Sequence, residues 1–190
     1  MRIRIEQSLM LIVDLQAGLL PVIDGGEQAV EEAIWLGGLA SQLEVPVWLT
    51  EQYPEGLGAS DERLLQALPD ALRWRKSHFG AYDEPDFASA LAASGRRQIV
   101  ICGSEAHICV MQTALGLLDA GYEVYWLAEA TASRRHAEAQ LAMTRVSGAG
   151  GVAVSADMVA YEWLHRCDDL RFKNVHRQFL KPRSARVLRF

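Results

Sequence analysis

The chain has 190 residues, half of them apolar and 23 % charged, which suits one soluble domain with a sizeable core and excludes a disordered or fibrous protein. Three widely spaced cysteines form neither a disulfide framework nor a zinc motif, so a reducing, cytoplasmic setting is expected. The net charge of −5 hides an asymmetry: residues 171–190 hold seven Lys or Arg and no Asp or Glu, leaving 12 basic against 24 acidic residues before them.

The N-terminus, Met1-Arg2-Ile3-Arg4 ahead of an apolar run, has the outline of a signal peptide, but Glu6 and Asp14 interrupt it and no A-x-A cleavage site follows. No stretch approaches the roughly 20 apolar residues of a transmembrane helix, so no membrane partner is expected. Residues 8–15 form a nearly continuous apolar run, the pattern of a strand buried on both faces. Gly25-Gly26 then punctuates, and residues 29–43 read as a helix. Residues 45–50 are a second strand, with Pro46 near its start where proline is tolerated. Residues 51–60, with Pro54, Gly56 and Gly58, read as a loop. A short helix over 61–68 and an alternating strand over 71–76 follow. Residues 87–93 are helical, and the β-branched run 98–102 is the fourth strand. Val110, Ala114, Leu117 and Leu118 recur at helical spacing until Gly121 closes the segment. Residues 123–128 give a fifth strand, 134–146 a helix with Ser133 as N-cap, 151–154 a sixth strand and 157–165 a last helix.

Strands alternating with helices predict a three-layer α/β/α domain around a six-stranded, mostly parallel sheet. That domain is read as residues 1–170, followed by the basic tail 171–190. In the tail Phe172, Val175 and Phe179 fall at helical spacing, so it is expected to dock on the acidic body or on a neighbouring subunit. The acidic remainder argues against a nucleic-acid partner.

In open parallel sheets, sites form beyond the carboxyl ends of the strands. Asp14 ends the first strand, Lys76 ends the third and Cys109 follows the fourth, so a carboxylate, an amine and a thiol converge on one rim. Asp14 would be costly to bury unpaired; the alternative is a turn or capping carboxylate. At a helix start, unpaired N–H groups and the helix dipole favour the thiolate of Cys109, the nucleophilic form. The alternative is one more small buried apolar residue. His107, two positions earlier, would not face Cys109 on a helix and is assigned a structural or pocket-lining role. Cys102 reads as inert packing, and Cys167 has no activating neighbour. Gly148, Gly150 and Gly151 lack the context of a dinucleotide fingerprint, and no metal-ligand spacing appears, so neither cofactor nor metal is implied.

Leu-Ile-Val-Asp-Leu-Gln (11–16), Arg-Lys-Ser-His-Phe (75–79) and Gly-Ser-Glu-Ala-His-Ile-Cys-Val (103–110) together resemble the isochorismatase-like cysteine hydrolases. The closer likeness is to the subgroup whose signature is Gly-x-Glu-x-His-x-Cys. Residues 50–58 look like that subgroup's loop after the second strand, and 172–175 like its terminal segment; the likeness spans about 8–180. It implies Asp14, Lys76 and Cys109 as the catalytic triad and a cis peptide at Ser104–Glu105. It also implies an oxyanion hole from the backbone N–H groups of Glu105 and Cys109, and a homo-oligomer. Gln16, Tyr53, His78 and Phe79 are expected to line the substrate pocket. The nicotinamidase branch carries Asp-x-His after the second strand, where this chain has Glu51-Gln52-Tyr53, so neither metal nor nicotinamide is supported. Keeping the cysteine points to C–N hydrolysis of a small amide-like substrate through a thioester. A non-catalytic interaction protein, and thiol or peroxide chemistry at Cys109, are the alternatives.

Overall fold

β1 (Ser8–Val13) lies at the middle of the sheet because its side chains can be buried on both faces; its one hydroxyl, on Ser8, donates to Arg4 O and accepts from Trp163 Nε1. In the computed structural model, which describes residues 2–168 and 170–190, β1 pairs with β2 (Val47–Gln52) on one side and β4 (Gln98–Gly103) on the other. β3 (Leu72–Lys76) continues from β2, and β5 (Glu123–Thr131) and β6 (Val152–Val154) continue from β4. The order is β3-β2-β1-β4-β5-β6 and every pairing is parallel. The chain thus winds outward in both directions from β1 and β4, which opens a crevice at the carboxyl ends of the central strands.

Helices cover both faces. On one, α1 (Gly26–Gln42) and α7 (Ala156–Leu164) bring Val30, Leu36, Leu39, Val159 and Trp163 against Met10, Ile12 and Val100. On the other, α4 (Pro85–Ala93), α5 (Met111–Asp119) and α6 (His136–Gly148) bring Leu91, Ala114, Leu117 and Val146 against Leu9, Leu11, Ile99 and Ile101. Two short helices, α2 (Pro54–Leu57) and α3 (Glu62–Ala67), lie in the β2–β3 connection. Among the described residues no helix is long and apolar enough to cross a membrane.

Several boundaries differ from the sequence reading. β2 starts after Pro46, which has no N–H to give, and runs on through Glu51 and Gln52, where a loop was expected; both pair with β3, at Arg75 and Lys76. β5 continues to Thr131 past a register shift opposite Ile101 and Gly103. Ser133 is not the N-cap of α6, whose cap residue is Arg135; its hydroxyl is instead 2.9 Å from His107 Nδ1.

The tail folds as α8 (Leu170–Val175), a π turn over His176–Leu180 and α9 (Lys181–Arg183). Val175 and Leu180 join the core. Arg183 is fully buried: its guanidinium lies 4.2 Å from the Trp35 ring centre and pairs with Glu32, Glu129 (2.9 Å) and Asp157 (3.1 Å). Arg186 and Arg189 reach Glu31, Glu32 and Asp24, so basic tail and acidic body meet within one chain.

Candidate active site

The residues of the site come from the ends of four neighbouring strands, and sheet register brings them together. Val13 is level with Thr50 and Gly103, and Gln52 is level with Lys76. Asp14, one residue past β1, leaves the strand at φ 48° and turns its carboxylate over the sheet end. Asp14 and Lys76 are sealed from solvent, with side chains 0 % and 1 % exposed and Lys76 Nζ 2.7 Å from Asp14 Oδ2. Thr50 donates its hydroxyl to Asp14 Oδ1 at 2.7 Å. The lysine ammonium also donates to Gln52 Oε1 at 2.5 Å and to the Phe79 carbonyl at 3.0 Å.

Gln52 was missed by the sequence reading as a site residue. Its Oε1 stands between Lys76 Nζ and Cys109 Sγ, 3.9 Å from the sulfur. Its Nε2 donates to Ser77 O at 2.9 Å, which fixes which end of the amide faces the lysine. The available signal was the parallel register of the second and third strands, which sets position 52 beside position 76.

Cys109 is 5 % exposed and lies in a π turn, Ala106–Val110, that leads into α5. The expectation of a thiolate favoured by a helix start does not hold. Burial first and the Asp14 carboxylate second push the thiol up to about 12, and the opposing pull of Lys76 does not compensate. Cys102 is likewise pushed above the usual thiol range by burial. Glu105 follows a cis peptide bond from Ser104. Ser104 donates its hydroxyl to Asp14 O at 2.8 Å, which ties the segment after β4 to the residue after β1. Among the described residues the Glu105 N–H has no acceptor. The Glu105 carboxylate is held by Arg134, through Nε and Nη2 at 2.6 Å and the backbone N–H at 3.0 Å.

The four expected pocket residues separate. Gln16 is fully buried and does not line a pocket: its Nε2 donates to Gln52 O and Gly58 O, and its Oε1 accepts from Gln52 N–H, so it braces the end of β2. Tyr53 is 59 % exposed and borders, with Lys76, Ser77 and Glu84, a groove of about 260 Å³. Phe79 is 53 % exposed, and its carbonyl reaches the site by accepting from Lys76. His78 turns its ring outward onto Glu84 at 3.0 Å. His107 faces Ser133 and Glu105 rather than the sulfur. No group of three or more His, Cys, Asp or Glu among the described residues could hold a metal ion.

Residues 8–158 match the model of the isochorismatase domain. The chain belongs to the isochorismatase family. A relative, isochorismatase domain-containing protein 2 of Xenopus laevis, is 30 % identical over 177 residues, covering 93 % of this chain and 85 % of that protein. Among solved structures, one described as a MAR1 ribonuclease from Caenorhabditis elegans aligns with TM-score 0.88 and 27 % identity over 95 % of this chain and 93 % of that one. The YcaC gene product of Escherichia coli, described as an octameric hydrolase of unknown specificity, aligns with TM-score 0.86 and 26 % identity, covering 95 % and 92 %.

Proposed function

We propose that this isochorismatase-family chain is a cysteine hydrolase of small amide-like substrates that works through an acyl-thioester. The observation that carries the reading is the buried Lys76–Asp14 pair set beside Cys109, a base, a cation and a nucleophile in one water-poor site.

At rest Cys109 is a thiol. As its sulfur attacks the carbonyl carbon, Asp14 takes the thiol proton, a C–S bond forms and the carbonyl π pair moves to oxygen. The N–H groups of Glu105 and Cys109 are assigned to that oxyanion, which develops in a low-dielectric site where such donors act strongly. The C–N bond then breaks, the amine leaves with the proton from Asp14, and a thioester remains. Water attacks the thioester, giving its proton to Asp14; the C–S bond breaks and the sulfur regains a proton. Amide and water become acid and amine, with no oxidant or reductant required. Lys76 orients the Asp14 carboxylate and steadies the charge that shifts between oxygen and sulfur.

We assign a small-molecule substrate and a homo-oligomeric state, the latter supported by the octameric Escherichia coli relative. An RNA substrate, the reading that the Caenorhabditis elegans description would bring, is not assigned, because part of the tail's positive charge is neutralised within the chain. Arg183, Arg186 and Arg189 of the tail are engaged by carboxylates of the body. Peroxide chemistry is disfavoured by the burial of Cys102 and the high pKa of Cys109.

The test is a panel of small primary amides, read by ammonia release and by intact mass after acid quench. A Cys109-linked acyl adduct in the wild type, absent from Cys109→Ser, is expected. The small exposure of Cys109 favours one rival, a binding protein whose thiol never meets a substrate. No ammonia and no adduct across the panel, together with a Cys109 that iodoacetamide does not label, would favour that rival.

A further inference from the structure

The Lys76 ammonium has three close partners: it forms an ion pair with Asp14 Oδ2 at 2.7 Å and donates to Gln52 Oε1 and the Phe79 carbonyl, with the His78 carbonyl further out at 3.4 Å. Asp14 and Gln52 are held by the sheet. The His78 and Phe79 carbonyls belong to the turn after β3, where no strand pairing fixes the backbone. A single carboxylate oxygen does that instead. Glu84 Oε1 accepts from the Ser77 N–H at 2.7 Å and the His78 N–H at 3.0 Å, and it meets His78 Nδ1 at 3.0 Å.

A second observation makes this more than a surface contact. Glu84 is the N-cap residue of α4, yet its side chain caps no N–H of its own helix. The carboxylate is committed backward, to the turn behind Lys76. Six residues of chain separate it from Ser77, and the midpoint is pinned to the nucleophile's own segment. Ala81 N–H donates to Thr113 Oγ1 at 2.9 Å, and that hydroxyl donates to the Cys109 carbonyl at 2.7 Å. The turn is therefore clamped at both ends, by Glu84 on the lysine side and by Thr113 on the cysteine side.

We propose that Glu84 is a positioning residue that acts through Lys76, holding the 77–79 turn so that its carbonyls keep the ammonium between Asp14 and Gln52. This rests on the reading of Asp14, Lys76 and Cys109 as one catalytic centre. Without the carboxylate, two backbone N–H groups lose their acceptor, the turn relaxes, and the ammonium loses one of its three partners.

The experiment follows alkylation of Cys109 by iodoacetamide against pH, by mass spectrometry on the full chain. It uses wild type, Lys76→Ala, Glu84→Ala, Glu84→Gln and the Glu84→Ala/Lys76→Ala double variant. Lys76 favours the thiolate of Cys109, so losing it moves the labelling curve to higher pH. Glu84→Ala is expected to move it the same way, with labelling about threefold slower at fixed alkaline pH, the equivalent of about half a pH unit. Glu84→Gln keeps an acceptor oxygen and should restore the wild-type curve. In the double variant the Glu84 change should add nothing to that of Lys76→Ala. A Glu84→Ala curve that coincides with wild type, or an equal extra shift in the Lys76→Ala background, overturns the inference while leaving the triad intact. A Lys76→Ala curve that coincides with wild type overturns the proposed catalytic centre, and the inference with it. Should Glu84→Ala fail to fold, Glu84→Asp draws the oxygen back from the turn and keeps the charge; a shift toward higher pH supports the inference, and a wild-type curve overturns it.

Discussion

Lys76 and Asp14 form an ion pair with both side chains out of contact with solvent, 2.7 Å apart at the carboxyl ends of β3 and β1. A single strand, β2, lies between them both in chain order and in the sheet, and its Thr50 and Gln52 hold one partner each. A buried pair of this kind is a poor source of net stability, since desolvating both charges offsets their attraction. Its value here lies in the opposed effects on Cys109: the carboxylate holds the thiol proton on, the ammonium draws it off.

Asp14→Asn should therefore separate acidity from catalysis. Removing the carboxylate takes away an influence that raises the thiol and leaves the one that lowers it, so Cys109 should alkylate at lower pH than in the wild type. Amide hydrolysis should nonetheless fall by about 10²–10⁴-fold, the usual contribution of a general acid–base. Faster labelling with lost turnover marks Asp14 as the proton carrier. Retained turnover would remove that role.

The buried thiols also weaken the fold at alkaline pH. Cys102 and Cys109 have folded-state values raised above the ordinary thiol, about 8.5 in an unfolded chain. The folded state thus keeps protons that the unfolded state releases, and stability present below about pH 8.5 is lost as pH rises. Each thiol should contribute a slope of about 1.4 kcal/mol per pH unit. Denaturant unfolding between pH 8 and 11 should show the slope reduced by about that amount in Cys102→Ala, whatever the substitution does to stability at pH 7.

The sheet, its strand count and the rim on which Asp14, Lys76 and Cys109 meet were legible in the sequence, because buried parallel strands write themselves as apolar runs. What lay beyond periodicity was less so. Glu51 and Gln52 look like loop residues, and only pairing with Arg75 and Lys76 makes them strand. Gln16 and Gln52 are both amides beside the site, but which of them faces the lysine depends on hydrogen bonds between residues 36 positions apart. The acidity of Cys109 was misjudged for a related reason: local position near a helix was visible, whereas the burial that outweighs it is a property of the whole fold.

Gly103 closes β4 at φ 130°, where an added Cβ would lie 1.9 Å from the Val13 carbonyl oxygen. That close approach lets Ser104 turn over the end of β1 and donate to Asp14 O. Gly103→Ala combines a forbidden conformation with a backbone collision and should cost at least about 3 kcal/mol. Gly95 also has a positive φ, of 69°, but an added Cβ meets nothing within 4 Å. Gly95→Ala should cost only about 1–2 kcal/mol, the left-handed penalty alone. Equal losses in denaturant unfolding would deny Gly103 its steric role.

Arg183 ties the tail to the body through one guanidinium shared by Glu32, Glu129 and Asp157 over the Trp35 ring. Arg183→Met keeps most of the stem's volume but leaves Glu129 buried without its cation and Glu32 with Arg186 alone. Breaking a buried pair from one side costs about 3–5 kcal/mol. The sign of its pH dependence follows from Glu129, whose carboxyl is raised above the usual range by burial, with Arg183 acting to lower it. Without Arg183 the carboxyl rises further, so the folded state of the variant takes up a proton more readily than the unfolded chain does. The penalty should be largest at neutral pH and shrink as pH falls toward 4.5, the ordinary carboxyl value. Denaturant unfolding of wild type and variant at pH 7 and pH 5 measures both. A penalty that stayed constant over that interval would mean that Glu129 does not bear the charge that Arg183 neutralises.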